Sequence, residues 1–585
     1  MVTHLVRAAS AAQRGRAALT RAEASLSARQ LDATRQELVV ADEAFSGTQA
    51  DMRALGPVAA VARWVPVLGN QVKAVDTLAS AGLRLSRAGQ PLVDAAGAVL
   101  NPADDKVPVS AAMDALRTTQ ASLAPAVDAV LQASDDVARL DGMFLVGPLA
   151  RARDDLAVRL PRIKARAESA ADGLTALMAF AGDSGPKRYL FLSQNPDEVR
   201  PTGGFIGTYG VLTADRGQLK LERYDAMENW TLAHPNAVVP PDRAGPPFRY
   251  QNPPLRRTIS NVNSGPDWPT AAQLAANLWK SAGEPPVDGV VSFTPGFMAR
   301  VLSVVGPVSV PAFGETVTSA NIDERLNYYT HQLPPPPGTN RKDFVAAVAE
   351  NVMHKLLDAP ASQWEPLGGV IGEAFAAKQA MAWSSDPTVA RTLADRDWDG
   401  AFRSHAGDFF FNSEFEFAAK NGRGIRRVYD HHVTVKPDGS ARIATKLTVT
   451  NTEPPDDEGN FAGTLGYLTI YGPQDAVLDD GASDPLSFKE PALVGHSAAG
   501  WFRAAAPSGG QTTLTVVWDA PNFVAPQKDG SWLYRLRWLH LPDHVGDVVN
   551  LSFDLPPGWT WAGDGPPAQF SLDQEFAGAW TLRGR

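Results

Sequence analysis

The chain has 585 residues and no cysteine, with 54 Lys and Arg against 64 Asp and Glu for a formal net charge of -10. That length exceeds one core and points to about three domains. The acidic balance argues against nucleic acid as a partner, because no excess of cations is available to displace counterions from phosphates. Without cysteine there are no disulfides, no thiolate catalysis and no cysteine zinc sites.

Residues 1–182 are rich in Ala, Leu, Arg, Asp and Glu and poor in aromatics. Leu31–Leu55, Gln71–Leu100 and Val109–Leu140 carry apolar residues at helical spacing and read as amphipathic helices, punctuated by Pro57, Pro66, Pro102, Pro108 and Pro148. An all-α helical bundle over 1–182 is expected. Arg7, Arg14, Arg16 and Arg21 suit either a membrane-surface helix or a solvated face. No apolar run approaches the roughly 18 residues that span a bilayer. Met1–Arg21 has too many arginines and too short an apolar core for a signal peptide. An export or anchoring segment would therefore lie outside this sequence.

Composition changes at Gly182. Arg188–Ser193 and Phe205–Thr213 read as strands, and Gln218–Arg223 as a third after the Asp215-Arg216-Gly217 turn. Thr270–Ser281 reads as a helix, Val287–Phe293 as a strand, Phe297–Val304 as a helix and Val308–Val310 as a strand. A long helix follows over Lys342–Leu357, with Phe344, Val348, Val352 and Leu356 on one stripe. Strands alternating with helices predict an α/β domain over 183–415. Beyond it the pattern is all-β. Val428–Val435 and Ala441–Thr450 flank the Pro437-Asp438-Gly439 turn, and Thr512–Trp518, Trp532–His540 and Val548–Leu555 alternate in the same way. An immunoglobulin-like β-sandwich over 416–585 is expected. Pro334–Pro337 is a stiff polyproline stretch.

Three clusters could carry chemistry. Ser193–Phe205 joins two strands and gathers Asn195, Glu198, Arg200 and Thr202 beside Gly203 and Gly204. The glycines permit positive φ or close approach of backbone to a ligand. Arg200 could grip a phosphate or carboxylate through parallel hydrogen bonds, or pair with Glu198. Asn340–Asp343 places Arg341 and Lys342 at a helix start, where cations oppose the dipole and exposed amides favour an anion. An anionic ligand between them would account for both; water is the plainer partner. In Asn261–Trp268, Asp267 reads as an N-cap sooner than as a metal ligand. Asp395–Gly400 copies the first half of a calcium loop, but Ala406 stands where the bidentate Glu belongs. His431 and His432 are strand neighbours and face opposite sides. No H-E-x-x-H, Walker loop, G-x-G-x-x-G or G-x-S-x-G is present.

The stretch Tyr189–Gly210 resembles the signature of the bacterial domain-of-unknown-function family numbered 4012. The likeness continues through Gly265–Ala272, Val287–Val291, Gly306–Val308, Asn340–Lys342 and Ala418–Gly422, and touches Pro66–Asn70. Members usually carry one membrane-spanning helix just upstream of the helical region. The resemblance thus implies a protein at the extracytoplasmic face of the bacterial membrane or cell surface, anchored by a helix not in this sequence.

The middle domain is also similar to the LytR-CpsA-Psr phosphotransferases, which move glycopolymers from polyprenyl-pyrophosphate carriers onto the cell wall. Val287–Phe297 and Val304–Val310 carry the likeness, followed by a basic pair at a helix start, Arg341-Lys342. This resemblance places Arg200 near the ligands of pyrophosphate and magnesium, with Arg341 and Lys342 completing the grip. Thr202 and Gly203 occupy the place of the family's aspartate, so Asp197, Glu198 or Asp225 would have to hold Mg²⁺. The implied function is binding of a polyprenyl-(pyro)phosphate-linked glycan or similar anion, in glycopolymer transfer or export, with cell-wall polymer as acceptor. The alternative is a non-catalytic, membrane-tethered scaffold that binds glycan or other envelope proteins.

Overall fold

The computed structural model describes the chain except for residues 1, 29, 55, 57–65, 101–108, 241–242, 244, 246–256, 332–337, 339–340, 417–421, 453–465, 504–507 and 585. It forms two units: one from Met1–Pro186, Ala214–Leu219 and Pro360–Glu365, the other from Lys187–Thr213, Lys220–Ala359 and Pro366–Arg585.

The first unit contains the expected helices: α1 (Val2–Ser27), α2 (Leu31–Ala54), α3 (Pro66–Leu100), α4 (Val109–Ala138) and α5 (Gly147–Phe180). Each packs on the next, and α3 also touches α1 and α5. Pro66 and Pro148 open helices, where a missing N–H is harmless. Pro57, Pro102, Pro108 and the Pro334–Pro337 stretch lie outside the described residues. Small side chains let the helices close up. Phe45 packs with Ala18, Ala41 and Ala79, and Gly15 and Gly82 form a notch for its ring, since Cβ atoms there would sit 2.8 and 2.5 Å from it. Between helices, Arg16 pairs with Asp155, Arg21 with Glu37 and Arg87 with Asp42. Arg16 and Arg21 thus have partners within the unit, although such exposed pairs stabilise it little.

The second unit begins with β1 (Lys187–Asn195), β2 (Phe205–Asp215) and β3 (Gln218–Ala226), then α6 (Met227–Ala233), α7 (Trp268–Ser281), β4 (Gly289–Phe293) and α8 (Pro295–Val305). A small hairpin of β5 (Val308–Val310) and β6 (Glu315–Val317) leads to α9 (Ile322–His331) and α10 (Arg341–Leu357). After α11 (Trp364–Ala376) come β7 (Ala380–Ser384) and α12 (Pro387–Asp395). The sheet order is β3-β2-β1-β4-β7, with β1 parallel to β4 and β7 antiparallel to β4. Alternation along the strands sends Leu190, Leu192 and Val290 into a core with Trp268, Ala272 and Trp279 of α7. Phe191, Val291 and Phe293 face the other way, toward Val301 of α8 and Phe344, Val348 and Val352 of α10. Helices on both faces of the sheet make this the α/β domain the sequence predicts.

The remaining strands are β8 (Asp408–Glu416), β9 (Ile425–Val435), β10 (Ala441–Asn451), β11 (Gly466–Gln474), β12 (Val477–Leu478), β13 (Phe488–Leu493) and β14 (His496–Arg503). They continue with β15 (Gln511–Ala520), β16 (Ala525–Pro526), β17 (Trp532–Trp538), β18 (Val548–Asp554), β19 (Thr560–Trp561), β20 (Gln569–Ser571) and β21 (Phe576–Arg583). Two large sheets result: β12-β15-β10-β9-β18-β20, and β13-β14-β11-β8-β17-β21-β19 with β16 beside β17. Val433, Ile443, Leu447 and Trp518 from the first meet Phe410, Ile470, Tyr534 and Trp538 from the second in one core. The first strand of these two sheets, β8, starts at Asp408. Every residue of β8 is buried, so this strand lacks the polar alternation that marks a half-exposed one.

Candidate functional site

The signature loop runs from Asn195, the end of β1, to Phe205, the start of β2. Asn195 starts the turn: its Oδ1 accepts the Asp197 N–H at 3.1 Å, and its carbonyl accepts the Glu198 N–H at 3.2 Å. The Glu198 carbonyl then accepts the Phe205 N–H at 2.9 Å. Gly203 and Gly204 have φ of +121° and +131°, a region that penalises any Cβ. At Gly204 a Cβ would run into the Asn195 carbonyl. Closure of the loop on itself thus accounts for Gly204, while a Cβ at Gly203 would meet Thr294 Cγ2 at 3.0 Å.

Arg200 lies inside the protein at 5 % exposure. Its Nε donates to Asn261 Oδ1 at 2.9 Å, and its Nη1 donates to the Val199 and Glu416 carbonyls, both at 2.8 Å. The guanidinium carbon sits 3.8 Å from the Phe415 ring centroid and 5.5 Å from that of Phe205. Main-chain bonds run beside it, from Glu416 N–H to Val199 O at 3.1 Å and from Gly422 N–H to Asp197 O at 3.0 Å. Arg200 thus ties the α/β loop to β8 of the β-rich region, and its fork grips neutral protein oxygens.

Thr202 is buried in a second network. Asn263, fully buried, brings its Nδ2 within 3.0 Å of Gln194 Oε1 and of Thr202 Oγ1, and 2.9 Å from the Gly204 carbonyl. Thr202 itself donates to Gln194 Oε1 at 3.2 Å.

The carboxylates proposed for magnesium have other partners. Asp197, 1 % exposed, accepts Arg423 Nε at 3.0 Å on Oδ1 and Asn327 Nδ2 at 2.9 Å on Oδ2. Arg423 also reaches Asp323 at 2.7 Å; burial pushes the Asp323 carboxyl up, against the pull of Arg423. Asp225 Oδ1 accepts the Ala226 N–H at 2.7 Å and Asn229 Nδ2 at 2.8 Å, at the start of α6. Among the described residues no group of three or more His, Asp or Glu is placed to hold a metal ion. Asp197 offers Mg²⁺ no open oxygen, because cationic or amide donors occupy both.

Lys342 comes to the expected neighbourhood. Its Nζ lies 5.7 Å from the Phe205 ring centroid, so Phe205 has Lys342 and Arg200 as neighbours. Lys342 donates to Glu228 Oε2 at 3.3 Å. Arg341 opens α10, but its side chain, Asn340 and most of the Ala418–Gly422 motif lie outside the described residues. Glu198 is half-buried and contributes backbone to the loop.

Asp267 caps α7 through Thr270 N–H at 3.1 Å and also accepts the Phe402 N–H at 2.9 Å, the role its position predicts. In the calcium-like segment, Asp397 pairs with Lys378 and Arg403, and Asp399 with Arg403; these carboxylates are neutralised by side chains. His431 is buried against Asp408 at 3.1 Å while its neighbour His432 faces outward to Asp554 at 3.0 Å. Sequence reasoning missed Asn261, Asn263, Arg257 and Arg423. The polar run Asn261–Ser264 signalled the first two, whereas nothing local singles out Arg257 or Arg423.

Residues 184–329 match the family model described as protein of unknown function (DUF4012). The match supports assignment of that segment, which carries the signature loop, Asn261 and Asn263, to the family. No curated protein matches the chain.

Proposed function

We propose that the chain is a non-catalytic binding and scaffold module of the bacterial cell envelope, held at the extracytoplasmic face by a segment outside this sequence. The observation that carries this reading is the commitment of Arg200. A residue reserved for substrate would aim its fork at a cleft, whereas Arg200 is buried with three protein oxygens and an aromatic face around it. The signature loop acts as a brace between the α/β domain and the β-rich region. The envelope placement draws on the resemblance of Tyr189–Gly210 to a family whose members carry a membrane-spanning helix. An immunoglobulin-like reading of the β-rich region would suit contacts with glycan or partner proteins, by analogy of fold alone.

A polyprenyl-(pyro)phosphate-linked glycan is a second candidate ligand. Its support is the element order: a strand at Gly289–Phe293, a helix, a strand at Val308–Val310, then a helix opening on Arg341-Lys342, as in the LytR-CpsA-Psr likeness. Phosphotransfer in the manner of those enzymes finds no support in the roles of Arg200 and Asp197.

The test is to incubate the protein with a polyprenyl-pyrophosphate-linked glycan and Mg²⁺ and to follow release of polyprenyl phosphate. In parallel, the natural protein is located by fractionation, and cell-wall fragments are tested for retention of the purified chain. We expect no release above the blank, recovery in the envelope fraction and retention on wall fragments. Turnover that is lost in Lys342→Ala with an unchanged circular-dichroism melt would overturn the non-catalytic reading, and recovery from the cytosol would overturn the envelope placement.

A further inference from the structure

Residues 539–547 join β17 to β18 and cross the carboxyl ends of β1 and β4. These two strands are parallel neighbours, with β2 on the far side of β1. Open α/β sheets take their ligands in the crevice beyond such strand ends, and here the chain's own residues lie across it. Gly203 is in the loop after β1 and Thr294 follows β4; a Cβ on Gly203 would lie 3.0 Å from Thr294 Cγ2 and 3.5 Å from Pro542 Cβ. Next to Pro542, the Asp543 carboxylate sits on the first turn of α8: Oδ2 accepts the Gly296 N–H at 2.8 Å and Oδ1 accepts Gln379 Nε2 at 2.7 Å. A negative charge suits that helix end, and Thr294, at the cap position, makes no side-chain cap bond of its own.

The segment is closed under load. Asp543 has φ of +58°, in the left-handed region that residues with a side chain rarely adopt, so its carboxylate bonds hold a conformation the backbone alone disfavours. Histidines stand on either side of it, and both are buried: His540 at 8 % exposure and His544 at 7 %. His540 Nε2 donates to the Ala377 carbonyl at 3.2 Å, and the charged groups around it are Glu575, Lys378 and Asp543. Around His544 stand Arg427 and Arg426 of β9, Glu414 of β8 and His540. Arg427 is wholly buried and already paired with Glu414 at 2.7 Å and with Asp547 at 3.4 Å. An imidazolium at 544 would therefore be desolvated beside a guanidinium whose counter-charges are taken.

We propose that residues 539–547 form an acid-released plug: with neutral His540 and His544 the segment closes over the ends of β1 and β4 and latches Asp543 on α8, and protonation of the two rings favours the form in which it has swung out. Burial holds the His544 imidazole down to about 3 and lowers that of His540, whereas an exposed imidazole titrates near 6.5. The open form therefore binds the extra protons, so closure is complete above about pH 6.5 and weakens as the pH falls below it. Between pH 7 and pH 5 the equilibrium for opening rises about 25-fold through His544 alone, and His540 adds to it. Arg200 and its bond to Glu416 lie outside the segment, so the two regions stay joined while the plug moves. Opening bares Gly203, Thr294 and the Gly296 N–H. The device is independent of where the protein resides and of whether it is catalytic.

Hydrogen exchange of the full chain, read by mass spectrometry at pH 7 and pH 5 and corrected for the intrinsic effect of pH, measures the opening. The reporters are the Leu539 and His544 amides, which donate to the Phe410 and Leu541 carbonyls at 3.0 and 3.2 Å, and the Gly296 amide, with β10 as the reference core. We expect the reporters to lose protection about 25-fold or more in acid. Low urea should leave their exchange unchanged, because a local opening exposes little surface, while exchange in β10 rises with urea. His540→Gln combined with His544→Gln should remove most of the acid loss. Asp543→Asn takes away the latch charge without touching either ring, and should lower protection about tenfold at both pH values, the scale of one charge-assisted bond. The wild-type comparison decides the matter even where the histidine variant folds poorly. Reporters that exchange only together with β10, no acid response, or an acid response unchanged in the histidine variant would each overturn the plug.

Discussion

Replacement of Arg200 by alanine separates a brace from a ligand anchor. The substitution removes a donor from Asn261, from the Val199 carbonyl and from the Glu416 carbonyl, and strips the guanidinium from the Phe415 face. A buried hydrogen bond from a charged donor is worth about 1.5–3 kcal/mol, and a desolvated cation–π contact about 2. One group makes all of them and water enters the gap, so the terms do not add fully; a net loss of about 4–6 kcal/mol follows, in the upper tail for single substitutions. Arg200→Lys keeps the charge without the planar fork and should lose about half as much. Urea unfolding followed by the fluorescence of Trp268 and Trp279, both buried in the adjoining core, reads the difference as a shift in midpoint. A midpoint equal to that of the wild type would refute the brace and return Arg200 to the list of ligand contacts.

Other outcomes follow from the same geometry. Gly204→Ala should destabilise the second unit by more than about 2 kcal/mol, since its φ is +131° and a Cβ meets the Asn195 carbonyl; Gly207→Ala, with open space around its Cβ position, is the control in the same urea assay. Asp197→Asn should cost about 3 kcal/mol by depriving Arg423 of a buried partner, and millimolar Mg²⁺ should shift neither midpoint. In the helical unit, Gly82→Ala should lower the circular-dichroism melt, because crowding of Phe45 at 2.5 Å costs about 1–3 kcal/mol against a helix-propensity gain of about 1. Acid should weaken the second unit. Burial holds the His544 imidazole down to about 3 and that of His405 down to about 4, and lowers those of His496 and His540. Unfolded imidazoles titrate near 6.5, so between there and about pH 4 the unfolded chain takes up protons that the folded one refuses. Stability is full above pH 6.5 and falls by up to about 1.4 kcal/mol per pH unit for each such histidine. Asp323 and Asp547, whose carboxyls burial raises, work in the opposite sense. Urea midpoints at pH 7, 6 and 5 check the trend, and His544→Gln should flatten it.

Where a residue's role depends on its immediate neighbours, it could be read from sequence. Arg188–Ser193 lies in a strand, the Phe344–Val352 stripe faces the sheet, Asp267 caps its helix and His431 and His432 part company. The need for Gly203 and Gly204 was legible too; the structure accounts for it by the positive φ at both and, at Gly204, by the Asn195 carbonyl. What could not be read were partners far along the chain. Arg200 finds Asn261 and Glu416, and Asp197 finds Arg423; no periodicity links such positions. β8 hid for a different reason, because burial on both sides erases the alternation that marks a sandwich strand.

The bond from Arg200 to the Glu416 carbonyl spans 216 residues of sequence, and that separation has a temporal meaning. A ribosome adding about 5–20 residues per second needs roughly 10–40 s to make that stretch. Through that interval the nascent signature loop has its glycines and its Asn195 turn but none of its acceptors from β8. Asn261 and the Val199 carbonyl are made early, but the loop still lacks the Glu416 carbonyl and the Phe415 face until β8 arrives from the next region. Late closure of this kind slows folding and leaves a window in which a chaperone or an export factor can hold the chain open.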